Sequence, residues 1–331
     1  MSNSAAVRRI DWLDGLRALA VSLVILAHLS AVLDWRFVVP GKLGVFIFFG
    51  ISGFIVTRLL LNERVQTGNI DFAAFFARRS ARILPPLTIY ICMCLAMGQG
   101  DIGGALRAAS FTCNIAKGPG DCGWIFGQTW SLAFEEQYYL LIPFILMRRA
   151  RWALLVIIPL AFLPFVFPLS FIGRIGAIQI YLLLGLGALV ALYEEKVFVL
   201  FANIPTIFAV LLLVFSGVWT LMDPSLIQIA TGLFVPAAVI SGSFALGLSS
   251  SWTNALLSSA PLRTLGLYSY TLYLWQQLAL TNPAPMPPLV GLAGALLLSA
   301  LSFHTVERFA RKLVKRSGKT SVLKAAAVSA P

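Results

Sequence analysis

The sequence has few charged side chains, and acidic ones are half as frequent as basic ones. Only 11% of its 331 residues are charged, whereas 59% are hydrophobic and the mean hydropathy is +0.88. This composition excludes an ordinary soluble globular domain. Long apolar segments recur along the chain, without the short alternating segments of a membrane β-barrel. We therefore predict an all-α integral membrane protein.

About ten transmembrane helices can be drawn from these apolar segments. They cover residues 15–33, 43–61, 83–97, 130–147, 152–167, 175–193, 204–222, 226–248, 265–281 and 289–309. Arginine and lysine concentrate in alternate connections, so the positive-inside rule places both termini in the cytoplasm. The same rule explains the net charge of +12 without a nucleic-acid partner.

The connections suggest one membrane domain and a tail. Residues 1–316 form a single transmembrane domain in this interpretation, and the Lys-, Ser- and Ala-rich residues 317–331 form a disordered basic tail in the cytoplasm. Residues 62–81 are expected to form a polar-to-amphipathic connection in which Phe72, Phe75 and Phe76 could lie on the membrane surface, and Pro85 to mark the entry to the third span. A short helix is expected at 102–111. The first apolar run lacks a small-residue cleavage site and does not resemble a signal peptide.

Cysteine is rare and offers no metal site. Cys92 and Cys94 would diverge by about 200° on a helix, which argues against shared metal binding. Cys113 and Cys122 share one polar loop. They could form a disulfide if that loop lies outside the cytoplasm, and could equally stay reduced.

The first apolar helix carries three ionisable residues on one face. His28 follows Arg17 by eleven residues, which is about three helical turns and roughly 16 Å, and Asp14 lies near the same line. Ionisable groups inside a membrane are costly and usually face a cavity or a partner. Either this face is functional, or Arg17 reaches the interface and His28 is a hydrogen-bonded core residue.

Two further stretches carry candidate binding residues. Small residues at Ser52 and Gly53 in the second segment allow close approach of either a helix or a slender ligand. Arg78, Arg79 and Arg82 lie within one helical turn at the cytoplasmic surface. Three guanidinium groups suit a polyphosphate, although topology and lipid head groups would also explain them.

The fourth segment presents a polar face made of Ser131, Glu135 and Tyr139, next to Trp130. We expect Glu135 at about the depth of His28, because it lies roughly 7–8 Å into its helix. A carboxylate beside an imidazole can fix its tautomer and raise its basicity, as general-base catalysis requires. Otherwise Glu135 is an interfacial residue.

These motifs occur in a familiar order. Arg17 and His28 are followed by Phe-Phe-Gly-Ile-Ser-Gly-Phe at 48–54, Arg-Arg-Ser-Ala-Arg-Ile-Leu-Pro at 78–85 and Trp-Ser-Leu-Ala-Phe-Glu at 130–135. Residues 266–275 and 306–308 continue the likeness. Together they resemble the integral-membrane acyltransferase 3 family over nearly the whole chain. One departure is Gln276, where many members carry histidine; we expect Gln276 to supply an equivalent hydrogen bond.

The resemblance implies an O-acyltransferase. An acyl group, expected to be acetyl, would pass from cytoplasmic acyl-CoA to a hydroxyl of a cell-surface or exported glycan, or of a lipid-linked glycan. Arg78, Arg79 and Arg82 would bind the nucleotide phosphates, with Arg17 and Asp14 further in, and the pantetheine would pass Ser52 and Gly53. His28, assisted by Glu135, would act as general base or carry the acyl group. Trp130, Ser131, Tyr139 and Gln276 would support the site.

The same interpretation places the protein, as a multi-pass protein, in a bacterial cytoplasmic membrane, in contact with membrane lipid. No permanently bound cofactor and no metal is expected. The alternative function is a transporter or flippase of a lipid-linked sugar, which also needs buried charges around a cavity.

Overall fold

The computed structural model describes residues 9–115, 122–148, 173–222, 234–281 and 287–314. Within these ranges every regular element is a helix. Helices α1 to α7 are Asp11–Val32, Gly41–Thr67, Phe72–Ala96, Ile102–Ala109, Gly123–Gly127, Thr129–Arg148 and Gly173–Leu192. Helices α8 to α14 are Glu194–Ala202, Thr206–Leu221, Phe234–Leu248, Ser251–Leu257, Ala260–Leu267, Ser269–Thr281 and Pro288–Leu301. A π-helical turn, Ser302–Glu307, continues α14.

Fewer described helices than expected can cross a bilayer by length and composition. Helices α1, α2 and the α14 segment extended to Val314 qualify. The pairs α7–α8 and α10–α11 bend by 103° and 98° between their halves, and counting each as one span gives five. Both termini and the predicted span at 152–167 lie outside the described residues. The number ten and the orientation stay predictions.

Helix α3 corrects the expectation for residues 62–85. It begins after Asp71, whose carboxylate caps the Ala74 amide at 2.9 Å, and runs without a break through Pro85 and Pro86. Pro85 therefore does not open a helix, and residues 72–81 belong to the same helix as the predicted third span. Phe75 is buried in the core, and Phe72 stacks on Phe144.

The core is built around α1 and α2, which pack against each other and against α7 and α10. Trp12, Phe54, Phe198 and Phe244 form an aromatic cluster at its centre, with ring centroids 5.2–6.2 Å apart. This packing holds the polar face of α1 in the interior, because Asp14 is buried and Arg17 is largely so.

Helices α12 and α13 cover the other side of α1, and α5 and α6 approach α13. The predicted short helix at 102–111 is α4, capped by Asp101, whose carboxylate accepts from the Gly104 amide at 2.8 Å. A disulfide joins Cys113 to Cys122. It ties the segment after α4 to the start of α5.

Candidate active site

The polar residues of α2, α3 and α6 meet in one cleft of about 700 Å³, a volume that includes space open to solvent. We call it the glutamate cleft. Its lining contains one carboxylate, three guanidinium groups and a set of hydroxyl groups. The polar lining residues are Arg17, Ser52, Arg79, Arg82, Ser131, Glu135, Tyr139, Ser269, Tyr270 and Tyr273.

Glu135 is held by hydroxyl groups in this cleft. Ser52 Oγ donates to Glu135 Oε1 at 2.7 Å, and the Tyr139 hydroxyl donates to Oε2 at 3.3 Å. The guanidinium of Arg79 lies 4.4 Å from the centroid of the Tyr139 ring. The carboxylate is therefore fixed beside positive charge.

A second cleft of about 960 Å³, solvent-open space included, adjoins the first and shares Arg17, Ile55 and Arg82 with it. We call it the arginine cleft, because its lining also includes Arg9, Arg58 and Arg311. Five guanidinium groups around one space form an anion-binding environment, since each can hold a phosphate or carboxylate in a bidentate way.

Acidic partners hold several of these arginines in place. Asp14 accepts from Arg9 at 2.5 and 2.9 Å and from Arg17 at 3.4 Å. Glu307, which is 1% exposed, pairs with Arg82 at 3.8 Å and with Arg311. Asp14 is thus the orienting partner expected for Arg17.

Arg78 does not belong to the cluster, contrary to the expectation from sequence. Its side chain is 53% exposed and pairs at 2.9 Å with Glu63 on α2, outside both clefts. Glu63 also accepts from the Asp71 amide, so it closes the turn between α2 and α3 and draws Arg78 to the surface.

Gly53 also differs from its predicted role. A Cβ there would overlap the backbone oxygen of Leu184 on α7, and one at Gly187 would overlap the oxygen of Gly50. These glycines let α2 and α7 pack backbone to backbone. Of the predicted donor-binding pair, Ser52 alone lines the cleft.

His28 lies further along α1, away from Glu135. Its Nδ1 is 2.7 Å from Gln276 Oε1, and its ring meets the Trp124 ring edge-on at 6.3 Å. With Gln276 as acceptor, Nδ1 carries the proton and Nε2 is the basic nitrogen. The expected pair of His28 and Glu135 is therefore wrong: Gln276 orients the imidazole. Packing places Glu135 level with the arginines instead.

The glutamate cleft nevertheless leads towards His28. Its lining follows α2 from Ile55 to Val45, ten residues or about 15 Å. Gly44, next to Val45, packs against Ala20 of α1, two turns before His28. On α13, Tyr273 lines the cleft and Gln276, one turn later, holds the imidazole.

The remaining predicted residues support the walls of the cleft. Ser131 Oγ lies 2.9 Å from the Tyr273 hydroxyl, which donates to the Gln128 backbone oxygen at 3.1 Å. Trp130 packs on Phe49 and Phe134 with ring centroids 6.2 Å away. It supports the lining residue Phe49 and is absent from the described lining itself.

Sequence reasoning missed Arg9, Arg58 and Arg311 as members of the arginine cleft, and Glu307 as the acidic partner of Arg82 and Arg311. A signal was present for two of them. Arg58 and Glu307 are charged residues inside the predicted second and tenth spans, where ionisable groups usually indicate function. That Arg58 lines the cleft and that Glu307 pairs with two of its arginines could be seen only once the helices were packed.

Comparison with known proteins identifies the family. The sequence model Acyl_transf_3, described as an acyltransferase domain, matches residues 10–304. The chain belongs to the acyltransferase 3 family. Both clefts lie almost entirely within the matched residues, with Arg9 and Arg311 just outside.

Relatives of this acyltransferase 3 chain are named O-acetyltransferases. O-acetyltransferase OatA of Staphylococcus aureus (strain NCTC 8325 / PS 47) is 34% identical over 158 residues, covering 42% of this chain. Putative O-acetyltransferases of S. aureus strains COL and MSSA476 are 35% and 34% identical over the same length. The chain spans a quarter of the length of these curated relatives. No solved structure matches it.

Proposed function

We propose that this protein is a membrane O-acyltransferase that moves an acetyl group from cytoplasmic acetyl-CoA to a hydroxyl of a glycan on the other side of the membrane. The observation that carries the proposal is the division of chemistry along α1. Arg17 lies where the two clefts meet, and His28 stands roughly 16 Å away with its Nδ1 held by Gln276.

The arginine cleft suits the nucleotide end of the donor. Coenzyme A carries a diphosphate and a ribose phosphate, and guanidinium groups bind such oxygens in a bidentate way. Arg9 and Arg311 are about half exposed, so they would meet the phosphates first. Arg17 and Arg82, shared by both clefts, would hold the diphosphate where the thin pantetheine arm begins.

The glutamate cleft suits the pantetheine arm. The amide groups of pantetheine would form hydrogen bonds with the hydroxyl groups of Ser52, Ser131 and Tyr273, between aromatic side chains that exclude water. The cleft follows α2 towards His28, which would bring the thioester carbonyl to the imidazole.

The chemistry at His28 is acyl transfer. As base, Nε2 takes the proton of the acceptor hydroxyl while its oxygen attacks the thioester carbonyl. The carbon–sulfur bond breaks, and the thiolate of coenzyme A leaves and takes up the proton from the imidazolium. In the covalent variant, Nε2 itself attacks the carbonyl, the carbon–sulfur bond breaks, and coenzyme A leaves as thiolate from an acyl-imidazolium that keeps its Nδ1 proton. The acceptor oxygen then attacks the acyl carbon, the bond to Nε2 breaks, and the hydroxyl proton passes to the thiolate. Gln276 fixes the required tautomer in both routes.

The family and the proposed chemistry support a cellular setting for the reaction. We place the protein in a bacterial cytoplasmic membrane, with the arginine cleft facing acetyl-CoA in the cytoplasm and His28 facing the glycan. Acetyl-CoA is a substrate here and not a resident cofactor. The names of the S. aureus relatives support O-acetylation as the transfer.

Replacing His28 tests the function. Membranes containing the protein are incubated with radiolabelled acetyl-CoA, and alkali-labile label in the glycan fraction is counted. His28→Ala should lower the transfer rate about a hundredfold or more, because a positioned base or nucleophile contributes at least that much. The protein level is measured in the same membranes.

His304→Ala is the matched control, because His304 is the chain's other histidine and lies near the end of the described chain. It should transfer at the wild-type rate. A His28→Ala protein with full activity would exclude both routes. A wild-type protein that moves no label to glycan would favour the transporter alternative. Hydroxylamine-labile label on rapidly quenched protein that is absent from His28→Ala would indicate the covalent route.

A further inference from the structure

Trp124 is an exposed side chain whose ring contacts the proposed reaction centre. Its ring lies edge-on to His28, with centroids 6.3 Å apart, yet 63% of the residue is exposed. An exposed tryptophan in a membrane protein often contacts lipid at the interface. Trp124, however, lies on the short helix α5 and not on a spanning helix.

The structure holds Trp124 firmly. The Cys113–Cys122 disulfide lies two residues before it, and Gly123 adopts a left-handed φ of 59°. Gln277 Nε2 donates to the Trp124 carbonyl at 3.0 Å. The Tyr90 hydroxyl donates to the Ile125 carbonyl at 2.7 Å. The backbone that carries the ring is thus fixed before any ligand arrives, which reduces the entropy lost on binding.

A buried hydrogen-bond donor accompanies this ring. Gln276 is fully buried, and its Oε1 holds His28 Nδ1. Its Nε2 has no hydrogen-bond partner among the described residues. A buried amide without a partner costs free energy unless a ligand or water satisfies it. An aromatic face, an amide donor and a base are thus grouped at one end of α1.

We propose that Trp124 is the sugar-stacking platform of the acceptor subsite. The C–H face of a pyranose ring packs on the indole, and this places one sugar hydroxyl near His28 and another within reach of the Gln276 amide. Aromatic faces are electron-rich and favour such C–H contacts, and amides suit sugar hydroxyls. This inference rests on the proposed acetyl transfer to a glycan and adds how the glycan is held.

Acceptor titration tests the platform. Transfer of label from saturating acetyl-CoA is measured against added envelope polysaccharide isolated from the host cells. Trp124→Leu, which keeps apolar bulk but loses the aromatic face, should raise the KM for polysaccharide about tenfold or more. The KM for acetyl-CoA should stay unchanged, and Trp124→Tyr should retain most of the affinity.

Trp252→Leu is the matched control. Trp252 is equally exposed, at 64%, and lies on α11, which packs against Gly15 near the opposite end of α1. It should leave both KM values unchanged. A wild-type polysaccharide KM in Trp124→Leu would overturn the platform, as would equal losses in the two leucine variants, which would indicate membrane anchoring. A wild type that transfers no label would instead overturn the proposed function itself.

Discussion

At the residue scale, neighbouring arginines of α3 have different surroundings. Arg79 lies over the Tyr139 ring and Arg82 pairs with Glu307, both at the glutamate cleft. Arg78 pairs with Glu63 at the surface. Identical side chains within one turn therefore have different environments: Arg79 and Arg82 line the cleft proposed for the donor, whereas Arg78 is exposed and paired with Glu63.

This difference predicts a split among glutamine variants. Arg82→Gln should raise the KM for acetyl-CoA roughly tenfold to a hundredfold, because it removes a charge-assisted contact to phosphate. Arg79→Gln should also raise that KM, because Arg79 lines the cleft proposed for the pantetheine arm. Arg78→Gln should leave that KM unchanged. The measurement is transfer rate against acetyl-CoA concentration in membranes with equal protein levels.

Equal behaviour of all three variants would contradict the assignment. If none changes the acetyl-CoA dependence, the arginines serve topology or lipid contact. If Arg78→Gln weakens donor binding as much as the others do, the result would support the sequence-based prediction that all three arginines bind the donor.

The candidate site was partly predictable from single residues. Arg17, Arg82 and Ser52 line the clefts, and Gln276 makes the hydrogen bond expected of it. These residues were recognisable because polar groups inside apolar helices are costly and so carry a signal by themselves. The expected pairing of Glu135 with His28 was wrong, because the relative depth of residues on two helices depends on how those helices tilt and pack.

At the scale of helices, the start of α3 and the neighbour of Gly53 were decided by tertiary packing and not by the local sequence. Pro85 and the charged residues before it suggested that a helix begins at Pro85, but α3 begins at Phe72 and runs through them. Proline removes one backbone donor, and tertiary contacts such as those of Phe75 can offset that loss. Similarly, the sequence left open whether a ligand or a helix lies against Gly53. The structure shows that α7 lies there, with its backbone in close contact.

The contact between α2 and α7 predicts a stability difference. Gly53→Ala places a methyl group against the Leu184 backbone oxygen and should destabilise the protein by roughly 1–3 kcal/mol, as overpacking does. Thermal unfolding in detergent measures the change. The expected result is a lower midpoint, with donor binding lost only in proportion to unfolded protein.

Gly294→Ala provides the comparison within α14, because a Cβ at Gly294 meets nothing within 4 Å. It should be neutral or stabilise by up to about 1 kcal/mol, since alanine is the better helix former. If Gly53→Ala were as stable as Gly294→Ala but had a raised KM for acetyl-CoA, the result would show that Gly53 contacts the donor, as expected from the sequence.

At the scale of the whole molecule, the two ends of α1 differ in chemistry. The arginine cleft gathers five guanidinium groups near its first turns, whereas amide, imidazole and indole groups surround its other end. The disulfide between Cys113 and Cys122 lies at that second end, next to Trp124. Disulfides persist in oxidising compartments, which agrees with an extracytoplasmic location for the end that carries His28.

This arrangement predicts which loops face which side. The connection between α1 and α2 should be outside the cytoplasm, and the one between α2 and α3 inside. Exposed positions Arg36 and Asn69 represent the two loops. In a Cys92→Ser, Cys94→Ala background, Arg36→Cys in intact cells should react with a membrane-impermeant maleimide. Asn69→Cys should react only after the membrane is opened.

Labelling of both cysteines in intact cells would show that α2 does not separate the loops, despite its apolar length. The reverse pattern would place the arginine cleft outside, away from cytoplasmic acetyl-CoA, and would overturn the proposed direction of transfer. The expected pattern is the one in which phosphate-binding groups face the donor and the imidazole faces the glycan, because the acyl group then crosses the membrane within a single protein.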